Sequence, residues 1–419
     1  MKTFFTVAAL FLMSTLMLAH EIEIIAKTPR ILISPSIAEN GKSFAYVGID
    51  EKTGTQAIFI SYLKNDGAFS KPNVVVTTRS TIEQLHTRFR HFQPNYAPFS
   101  AEEFRAKKGL DSPIVQNDII TFSATIKNFK RGIFYAIKRQ NKWQVYPIAI
   151  QDQKMPIEPD AYYKDFNAPY ISVKQKAIFL ATSKNDLSYV FSYKIPAAPC
   201  ESNEPVLLVK ADKKIYDFKD ISVAQGNFAT LAKDETGKTY VCVFDQKTAK
   251  LVKNVPEEYW EQREGAITVP DGPSYYAGKI AFSTHAQGED GKVTYAIYSN
   301  AGKSEFAKPV VLSGKMIDTM CIKFAKVWNP TLYIQNNKAY ITFMGSLWEN
   351  SRITGVYLAS IANGKVDLAP IAVPGQRLPN GQIVLAATIG AVSIRHGIIP
   401  LALRLGNGDN VIAVVRLGI

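Results

Sequence analysis

The sequence has few cysteines and none of the short motifs that mark nucleotide-binding or serine-hydrolase domains. Three cysteines in 419 residues cannot build the disulfide framework of a small secreted scaffold. No Gly-x-Ser-x-Gly elbow and no GxGxxG or GxxxxGK[ST] loop occurs, so the usual signals of those enzymes are missing. The five histidines are scattered, and no cysteine pair has zinc-ligand spacing. We therefore predict no cofactor, no metal site and no catalytic residue.

The composition is that of a folded protein with a large apolar interior. Apolar residues make up 47% of the chain, and there are 20 Tyr and 23 Phe. This content excludes intrinsic disorder, and short runs of Val, Ile and aromatic residues favour β structure. The formal net charge of +13 suits an anionic partner without indicating a nucleic-acid enzyme. We expect a monomer that binds no specific nucleic acid.

The first residues have the pattern of an export signal. Lys2 is followed by a mainly apolar stretch over residues 3–18, and Ala19 ends a small-residue cleavage site. We predict a signal peptide at 1–19, a single domain at 20–419 and a periplasmic or secreted location. The alternative is an uncleaved membrane anchor, because the stretch approaches the length of a short transmembrane helix. No second span of that kind follows it.

In an oxidising compartment the three cysteines allow one disulfide bridge at most. Cys242 lies in the apolar run Tyr240-Val241-Cys242-Val243-Phe244, which predicts a buried and chemically inert thiol on a strand. Cys200 and Cys321 receive no assigned pairing.

A single pattern recurs along the chain. Each copy has a short β stretch led by Pro or a small polar residue, a turn with Asn or Gly, an aromatic-centred strand, a polar turn and a further strand. Seven residues are predicted to share one column, with spacings of 78, 57, 49, 54, 59 and 59: Phe44, Phe122, Phe179, Phe228, Phe282, Ile341 and Pro400. A period of this length holds about four strands, which is one small antiparallel sheet.

Radial stacking of such sheets covers both faces of each one. The sequence therefore predicts an all-β, seven-bladed β-propeller, or six blades if the worn seventh copy is only a terminal strand pair. A solenoid is the structural alternative. Residues 21–25 alternate as an edge strand does, and residues 411–417 form another strand. We expect the N-terminal strand to complete the last blade and close the ring.

The first copy carries a family resemblance. Pro35-Ser36-Ile37, Asn40-Gly41 and Phe44-Ala45, followed by the Ile58-Phe59 strand, resemble the NxxGxxAF-type tandem repeats of secreted bacterial proteins. Residues 373–381 resemble the Gly-x-x-x-Pro-x-Gly stretch that precedes such units. The resemblance implies an exported β-propeller and supplies no catalytic residues.

A second, looser resemblance gives the enzymatic alternative. Residues 29–32, with Arg30, resemble the motif that supplies a carboxylate-binding arginine in sialidases, and residues 66–72 resemble their Asp-box. A sialidase-like glycoside hydrolase acting on an acidic sugar would need a tyrosine nucleophile with a partner carboxylate. Tyr275, Tyr276 and Glu264 are the candidates for those roles.

Four acidic-glycine clusters could each be taken for a calcium loop. They occupy residues 50–54, 234–237, 289–291 and 407–410. All four fall between the aromatic strand and the strand that follows it, where a hairpin turn is needed. Since Asn, Asp and Gly are turn residues, we predict turns at these positions.

Residues 82–108 form the most distinctive segment outside the repeat, because basic and aromatic side chains alternate there. The predicted ligand-binding residues are His86, Arg88, Arg90, His91 and Arg105. Arginines pair with phosphates, sulfates or carboxylates, while rings stack on sugars or bases. A capping-box pattern at residues 100–103 predicts a short helix over 100–108. The alternative is a loop whose aromatic residues form its own core and whose charges are solvated.

Together these features predict an exported propeller that binds or scaffolds, with an anionic polymer, glycan or lipid headgroup as partner. Fold alone does not separate this from the glycosidase alternative. Two or three arginines, a tyrosine and a carboxylate at one end of the axis would favour the enzyme. An apolar or merely basic face would favour the binding protein.

Overall fold

The computed structural model describes most of the chain. The described residues are 21–92, 112–157, 159–167, 169–198, 203–211, 217–237, 239–248, 250–256, 267–287, 292–302, 307–317, 322–347 and 353–419. The predicted signal peptide, the predicted helix over 100–108, Cys200, Glu264 and Cys321 lie outside them.

Strands occupy nearly all of the regular structure in the described residues. The N-terminal strand is β1 (Ile22–Thr28). The first blade contains β2 (Ile31–Ile37), β3 (Ser43–Ile49), β4 (Gln56–Tyr62) and β5 (Asn73–Thr77). The second contains β6 (Thr81–Ile82), β7 (Thr87–His91), β8 (Ile114–Gln116), β9 (Ile119–Ile126), β10 (Arg131–Arg139) and β11 (Lys142–Ile150). The third contains β12 (Tyr163–Phe166), β13 (Tyr170–Ile171), β14 (Lys176–Ser183), β15 (Ser188–Lys194) and β16 (Val206–Lys210).

The remaining strands follow the same order. The fourth blade contains β17 (Asp217–Ala224), β18 (Asn227–Lys233), β19 (Thr239–Asp245) and β20 (Leu251–Pro256). The fifth contains β21 (Ile267–Tyr276), β22 (Lys279–Gln287), β23 (Val293–Ser299) and β24 (Lys308–Leu312). A small hairpin of β25 (Met316–Ile317) and β26 (Ile322–Lys323) precedes the sixth, which contains β27 (Lys326–Gln335), β28 (Lys338–Ser346), β29 (Gly355–Ala362) and β30 (Lys365–Ala372). The seventh contains β31 (Val384–Thr388), β32 (Ile398–Leu405) and β33 (Asn410–Arg416).

Seven antiparallel sheets of this kind form a β-propeller, which confirms the predicted fold and excludes six blades. In each sheet the chain moves outward from the inner position, except that the outermost strand of the seventh blade is β1 from the N-terminal end. In the second and third blades two short strands share the inner position, because β7 and β8 both pair with β9, and β12 and β13 both pair with β14. Stacking covers both faces of each small sheet, so the apolar interior is divided among blade-to-blade contacts.

The N-terminal strand closes the ring as predicted. Strand β1 pairs antiparallel with β33 and is the outermost strand of the seventh blade, in the order β1-β33-β32-β31. Two ion pairs reinforce the junction: Arg416 contacts Glu23, and Lys27 Nζ lies 2.6 Å from an Asp409 carboxylate oxygen. The two ends of the described chain are thus hydrogen-bonded in one sheet.

An aromatic pair recurs on the second and third strands of six blades. The partners face each other in register, with ring centroids 5.0 to 5.8 Å apart. The pairs are Tyr46–Phe59, Phe122–Phe134, Phe179–Phe191, Phe228–Phe244, Phe282–Tyr298 and Phe343–Tyr357. Cross-strand aromatic pairs of this kind are a main source of sheet stability. In the seventh blade the pairings there are apolar but not aromatic, such as Ala402–Ile412.

These pairs correct two members of the predicted column. All seven predicted residues lie on the strand that pairs with the inner position of its blade. However, the residue that occupies the paired aromatic position is Tyr46 rather than Phe44 in the first blade, and Phe343 rather than Ile341 in the sixth. Both corrections are shifts of two residues, which keep the side chain on the same face of the strand.

The acidic-glycine clusters are turns where the structure describes them. The Asp50 carboxylate accepts hydrogen bonds from Lys52 N and Thr53 Oγ1, and the Asp234 carboxylate accepts two from Thr236. The cluster at 289–291 lies outside the described residues. Within the described ranges no group of three or more His, Cys, Asp or Glu is placed to hold a metal ion.

Cys242 is buried on β19, as predicted, and burial raises the pKa of its thiol to about 12. In the part of the chain that the structure describes, no helix has the length and apolar character needed to cross a membrane.

Candidate functional site

Two places on the propeller carry polar side chains in unusual arrangements. One is a basic strip, defined here as Arg88, Arg90, Lys127 and Phe129 in the second blade. The other is an axial cluster, defined as Glu39, Tyr170, Tyr276, Tyr333 and Arg395, whose members come from five different blades. The strip lies on and beside β7, where the inner position of the second blade begins. The cluster lies where the inner strands end and turn into the next strands. The two therefore lie toward opposite ends of the inner strands.

The basic strip is built on the inner position of the second blade. Strand β7 pairs with the far end of β9, and β8 pairs with its beginning, so the two strands are two halves of one strand position. Residues 82–92 of the predicted segment therefore belong to the blade. Residues 93–108, including Arg105, lie outside the described residues.

The side chains of β7 alternate between core and solvent. Phe89 is buried, whereas Arg88 and Arg90 on either side of it are exposed. Arg88 and Arg90 thus flank a buried ring with both side chains exposed, although the register of β7 against β9 is irregular between Phe89 and His91. Neither guanidinium forms an ion pair with a carboxylate of the described residues, which leaves both charges available to a ligand.

The Arg90 guanidinium lies over the Phe129 ring, with its central carbon 3.8 Å from the ring centroid. Phe129 occupies the turn between β9 and β10 and is 67% exposed. The backbone carbonyl of Arg88 accepts a hydrogen bond from Lys127 N in the same turn, which ties the turn to the strand. Cation–π contact fixes the direction of the Arg90 side chain.

The two histidines of the predicted site differ in their surroundings. His86 is exposed in the turn before β7, where its backbone is left-handed with φ of 50°. His91 ends the strand and is half-buried. The structure thus places Arg88 and Arg90 as exposed side chains on β7, with the exposed His86 in the turn that precedes them.

The described aromatic residues of this segment behave as the alternative interpretation expected. Phe89 and Phe92 are buried against Phe122 and Phe134, with centroid distances of 5.0 to 5.8 Å. They are core residues of the second blade, whereas the charged side chains of Glu83, Arg88 and Arg90 face solvent. Phe129, which the sequence pattern did not single out, supplies the exposed ring.

The axial cluster forms where the inner strands turn back. Tight turns with left-handed residues join the first and second strands, as at Gln225 (φ 50°) with Gly226, and at Asn336 with Asn337. Two consecutive left-handed residues are typical of the type I′ hairpin. The turns contact each other through Glu39, whose N donates to Gln116 Oε1 at 3.2 Å.

Arg395 lies at the centre of this end. Its side chain reaches from the seventh blade to the sixth, where Nη1 donates to the Leu332 carbonyl oxygen at 3.3 Å, and it also bonds the Ile394 carbonyl oxygen at 2.7 Å. Its guanidinium carbon lies 4.8 Å from the centroid of the Tyr276 ring, which packs edge-on against Tyr333. Burial lowers the pKa of Arg395, and the Glu39 carboxylate opposes that shift.

The residues named for a glycosidase do not assemble into the predicted arrangement. Tyr276 joins Arg395, but Tyr275 uses its hydroxyl to bond Asn227 and Gly278 N. Arg30 is exposed at the beginning of β2, while Glu39 follows the end of that strand, so Arg30 lies at the other end of the axis. Among the described residues the axial cluster therefore has one arginine rather than two or three. Glu264 lies outside the described residues.

Comparison with known proteins adds distant structural matches only. No family model and no curated protein matches the chain. The BP39L lectin from Burkholderia pseudomallei is 11% identical with a TM-score of 0.45, over 93% of this chain and 97% of that one. A puromycin-hydrolyzing peptidase of Mycobacterium tuberculosis is 11% identical with a TM-score of 0.48, over 92% of this chain and 53% of that one.

The β-propeller domain of the trilobed protease from Pyrococcus furiosus is 10% identical with a TM-score of 0.35, over 74% of this chain and 93% of that one. At such low similarity these matches do not bear on function. The NxxGxxAF repeat family is not confirmed, whereas the propeller itself follows from the strand pairing.

Proposed function

We propose that the protein is an exported propeller that binds an anionic polysaccharide through the basic strip. The observation that carries this proposal is the pair of exposed arginines Arg88 and Arg90 on strand β7, with the Arg90 guanidinium over the exposed ring of Phe129. Binding groups are commonly displayed at the ends of a rigid scaffold in this way.

The chemistry of the strip fits repeated sulfate or carboxylate groups joined by sugar rings. A guanidinium pairs with an oxyanion through parallel hydrogen bonds. Two exposed guanidinium groups two residues apart on β7 can each pair with an oxyanion of the same polymer. An exposed aromatic ring adds an apolar surface for a sugar face. Export to the periplasm or the exterior would place the strip where such polymers occur.

The test is retention of the mature protein on immobilised heparin, a sulfated polysaccharide. The variant Arg88→Gln with Arg90→Gln should elute at a clearly lower salt concentration than the parent. The variant makes fewer charge contacts with heparin, so its binding releases fewer counterions. The matched control is Arg377→Gln with Arg404→Gln, which removes the same charge from two exposed arginines elsewhere. It should elute close to the parent.

Equal shifts in the two double variants would mean that net charge alone sets retention, and the proposal would be wrong. A parallel co-sedimentation with anionic phosphatidylglycerol vesicles distinguishes the polymer from a lipid surface. Binding to vesicles but not to heparin would replace the polysaccharide with a membrane headgroup as the partner.

A further inference from the structure

Arg395 is a buried cation with an unused hydrogen-bond donor. The side chain is 3% exposed, and its Nε is buried with no hydrogen-bond acceptor among the described residues. Its two hydrogen bonds among the described residues go from Nη1 to the backbone carbonyl oxygens of Leu332 and Ile394, which are neutral acceptors. A buried donor without an acceptor lowers the stability of the fold by more than an ordinary hydrogen bond raises it. Such groups commonly bind water or an ion.

The charge of Arg395 is also incompletely neutralised. No carboxylate of the described residues lies within ion-pair distance of its guanidinium. Glu39 is the acidic residue whose charge acts on it most strongly, and the Asp220 carboxylate accepts a bond from Gly272 N. Burying a charge without a close counter-charge is expensive, so the axis calls for an additional anion near Nε.

The surroundings of Arg395 would suit a small anion. The Tyr170 hydroxyl makes no hydrogen bond with another described residue, and Tyr170 is close enough to Arg395 and Asp220 for their charges to affect it. A phenol is a hydrogen-bond donor. The ring faces of Tyr276 and Tyr333 supply an apolar wall. Arg395 Nε and the Tyr170 hydroxyl are thus two donors of this cluster that lack an acceptor among the described residues.

The turns around this site leave little passage for a sugar. Gln225 N donates to Glu39 Oε1 at 3.1 Å, and Ala277 N donates to Gln225 Oε1 at 3.1 Å. A Cβ on Gly41 would meet the His396 ring at 3.0 Å, which shows how closely the first and seventh blades approach. These contacts join the first, fourth, fifth and seventh blades across the axis.

We propose that Arg395 holds a small monoanion of halide or formate size at the propeller axis, with Tyr170 as the second donor. The anion stabilises the ring by compensating the buried guanidinium. It is separate from the polymer partner of the basic strip, which belongs to the opposite end of the inner strands.

The direct test is a crystal of the mature protein soaked in sodium bromide. An anomalous peak within hydrogen-bond distance of Arg395 Nε is the expected result. In solution, the Tm of the parent in sodium chloride, bromide or formate should exceed that in sodium gluconate at equal ionic strength by at least about 2 °C, because a ligand that binds only the folded state raises its stability. Gluconate has the same charge but is much larger than a halide or formate ion.

Variants separate this site from general salt effects. Tyr170→Phe should fold and should reduce the anion-dependent rise in Tm, and Arg395→Gln should abolish it. Arg404→Gln, an exposed arginine, should leave it unchanged. If Arg395→Gln fails to fold, the bromide peak and the Tyr170→Phe variant still test whether an anion binds at Arg395. No peak at Nε, or the same anion dependence in Tyr170→Phe and the parent, would show that water alone satisfies Arg395 and would overturn the proposal.

Discussion

The carboxylate of Glu39 accepts a hydrogen bond from the backbone amide of Gln225, 3.1 Å away, although 186 residues separate them. Glu39 follows the inner strand of the first blade and Gln225 follows that of the fourth. The bond therefore spans the axis instead of joining neighbours. A second bond, from Ala391 N to Ser112 Oγ at 3.4 Å, joins the seventh blade to the second, so links of this kind couple blades that are not neighbours in the ring.

Removal of the link should lower stability. We expect Glu39→Ala to reduce the free energy of unfolding by about 1 kcal/mol, because the bond involves a charged acceptor but the side chain is only half-buried. Urea denaturation followed by tyrosine fluorescence measures the change. Glu235→Ala removes an exposed carboxylate from a turn and should change stability far less. Equal effects of the two substitutions would contradict a role for the cross-axis bond.

Deletion of residues 20–28 should destabilise the whole ring. Strand β1 supplies the outer edge of the seventh blade and two ion pairs. Without it β33 becomes an unpaired edge and its apolar side chains lose cover. We expect a loss of more than about 3 kcal/mol from the lost ladder bonds, seen as a lower Tm by calorimetry. A Tm equal to that of the parent would contradict closure by β1.

Gly345 on β28 should not tolerate a side chain. A Cβ at this position would lie 2.6 Å from Cε1 of the buried Phe324 ring and 3.0 Å from Cε2 of Tyr357. Overpacking of this kind costs about 1–3 kcal/mol, so Gly345→Ala should lower the urea midpoint. Gly302→Ala is the matched control, since nothing lies within 4 Å of its added Cβ. An unchanged midpoint for Gly345→Ala would show that the two rings can move apart.

The period of the sequence was sufficient for the fold but not for the register within each strand. Phe44 and Tyr46 lie on the same face of β3, as do Ile341 and Phe343 on β28, because side chains repeat every two residues. An alternating pattern therefore fits either residue. The choice is made by partners on the next strand, where Phe59 and Tyr357 lie opposite Tyr46 and Phe343.

The axial cluster could not be predicted from local pattern. Arg395, His396 and Gly397 fall where the seventh copy needs a turn, and His396 and Gly397 are indeed left-handed. Nothing near them in sequence indicates that Tyr170, Tyr276 and Glu39 converge on the guanidinium. That convergence comes from closing the ring, which brings residues from five blades to one end. The basic strip was visible because Arg88 and Arg90 are close in sequence, whereas Phe129 comes from the neighbouring strand's turn.

The buried thiol of Cys242 should make stability depend on alkaline pH. Burial raises its pKa to about 12, whereas the thiol of an unfolded chain ionises near pH 8.5. Below about pH 8.5 both states keep the proton, and the full contribution is present. As pH rises further, only the unfolded state loses its proton, so stability falls by up to about 1.4 kcal/mol for each pH unit until the folded thiol also ionises.

The comparison uses Cys200→Ser with Cys321→Ser as the parent, so that Cys242 is the single thiol. At pH 8 it should not react with Ellman's reagent until the protein is denatured, and then one equivalent should appear. Addition of Cys242→Ala removes the titrating thiol while leaving the buried tyrosines in place. The decline in stability between pH 9 and pH 11 should therefore be shallower in the Cys242→Ala variant than in its parent. Parallel declines, or rapid reaction of the native thiol, would mean that Cys242 is accessible and ionises normally.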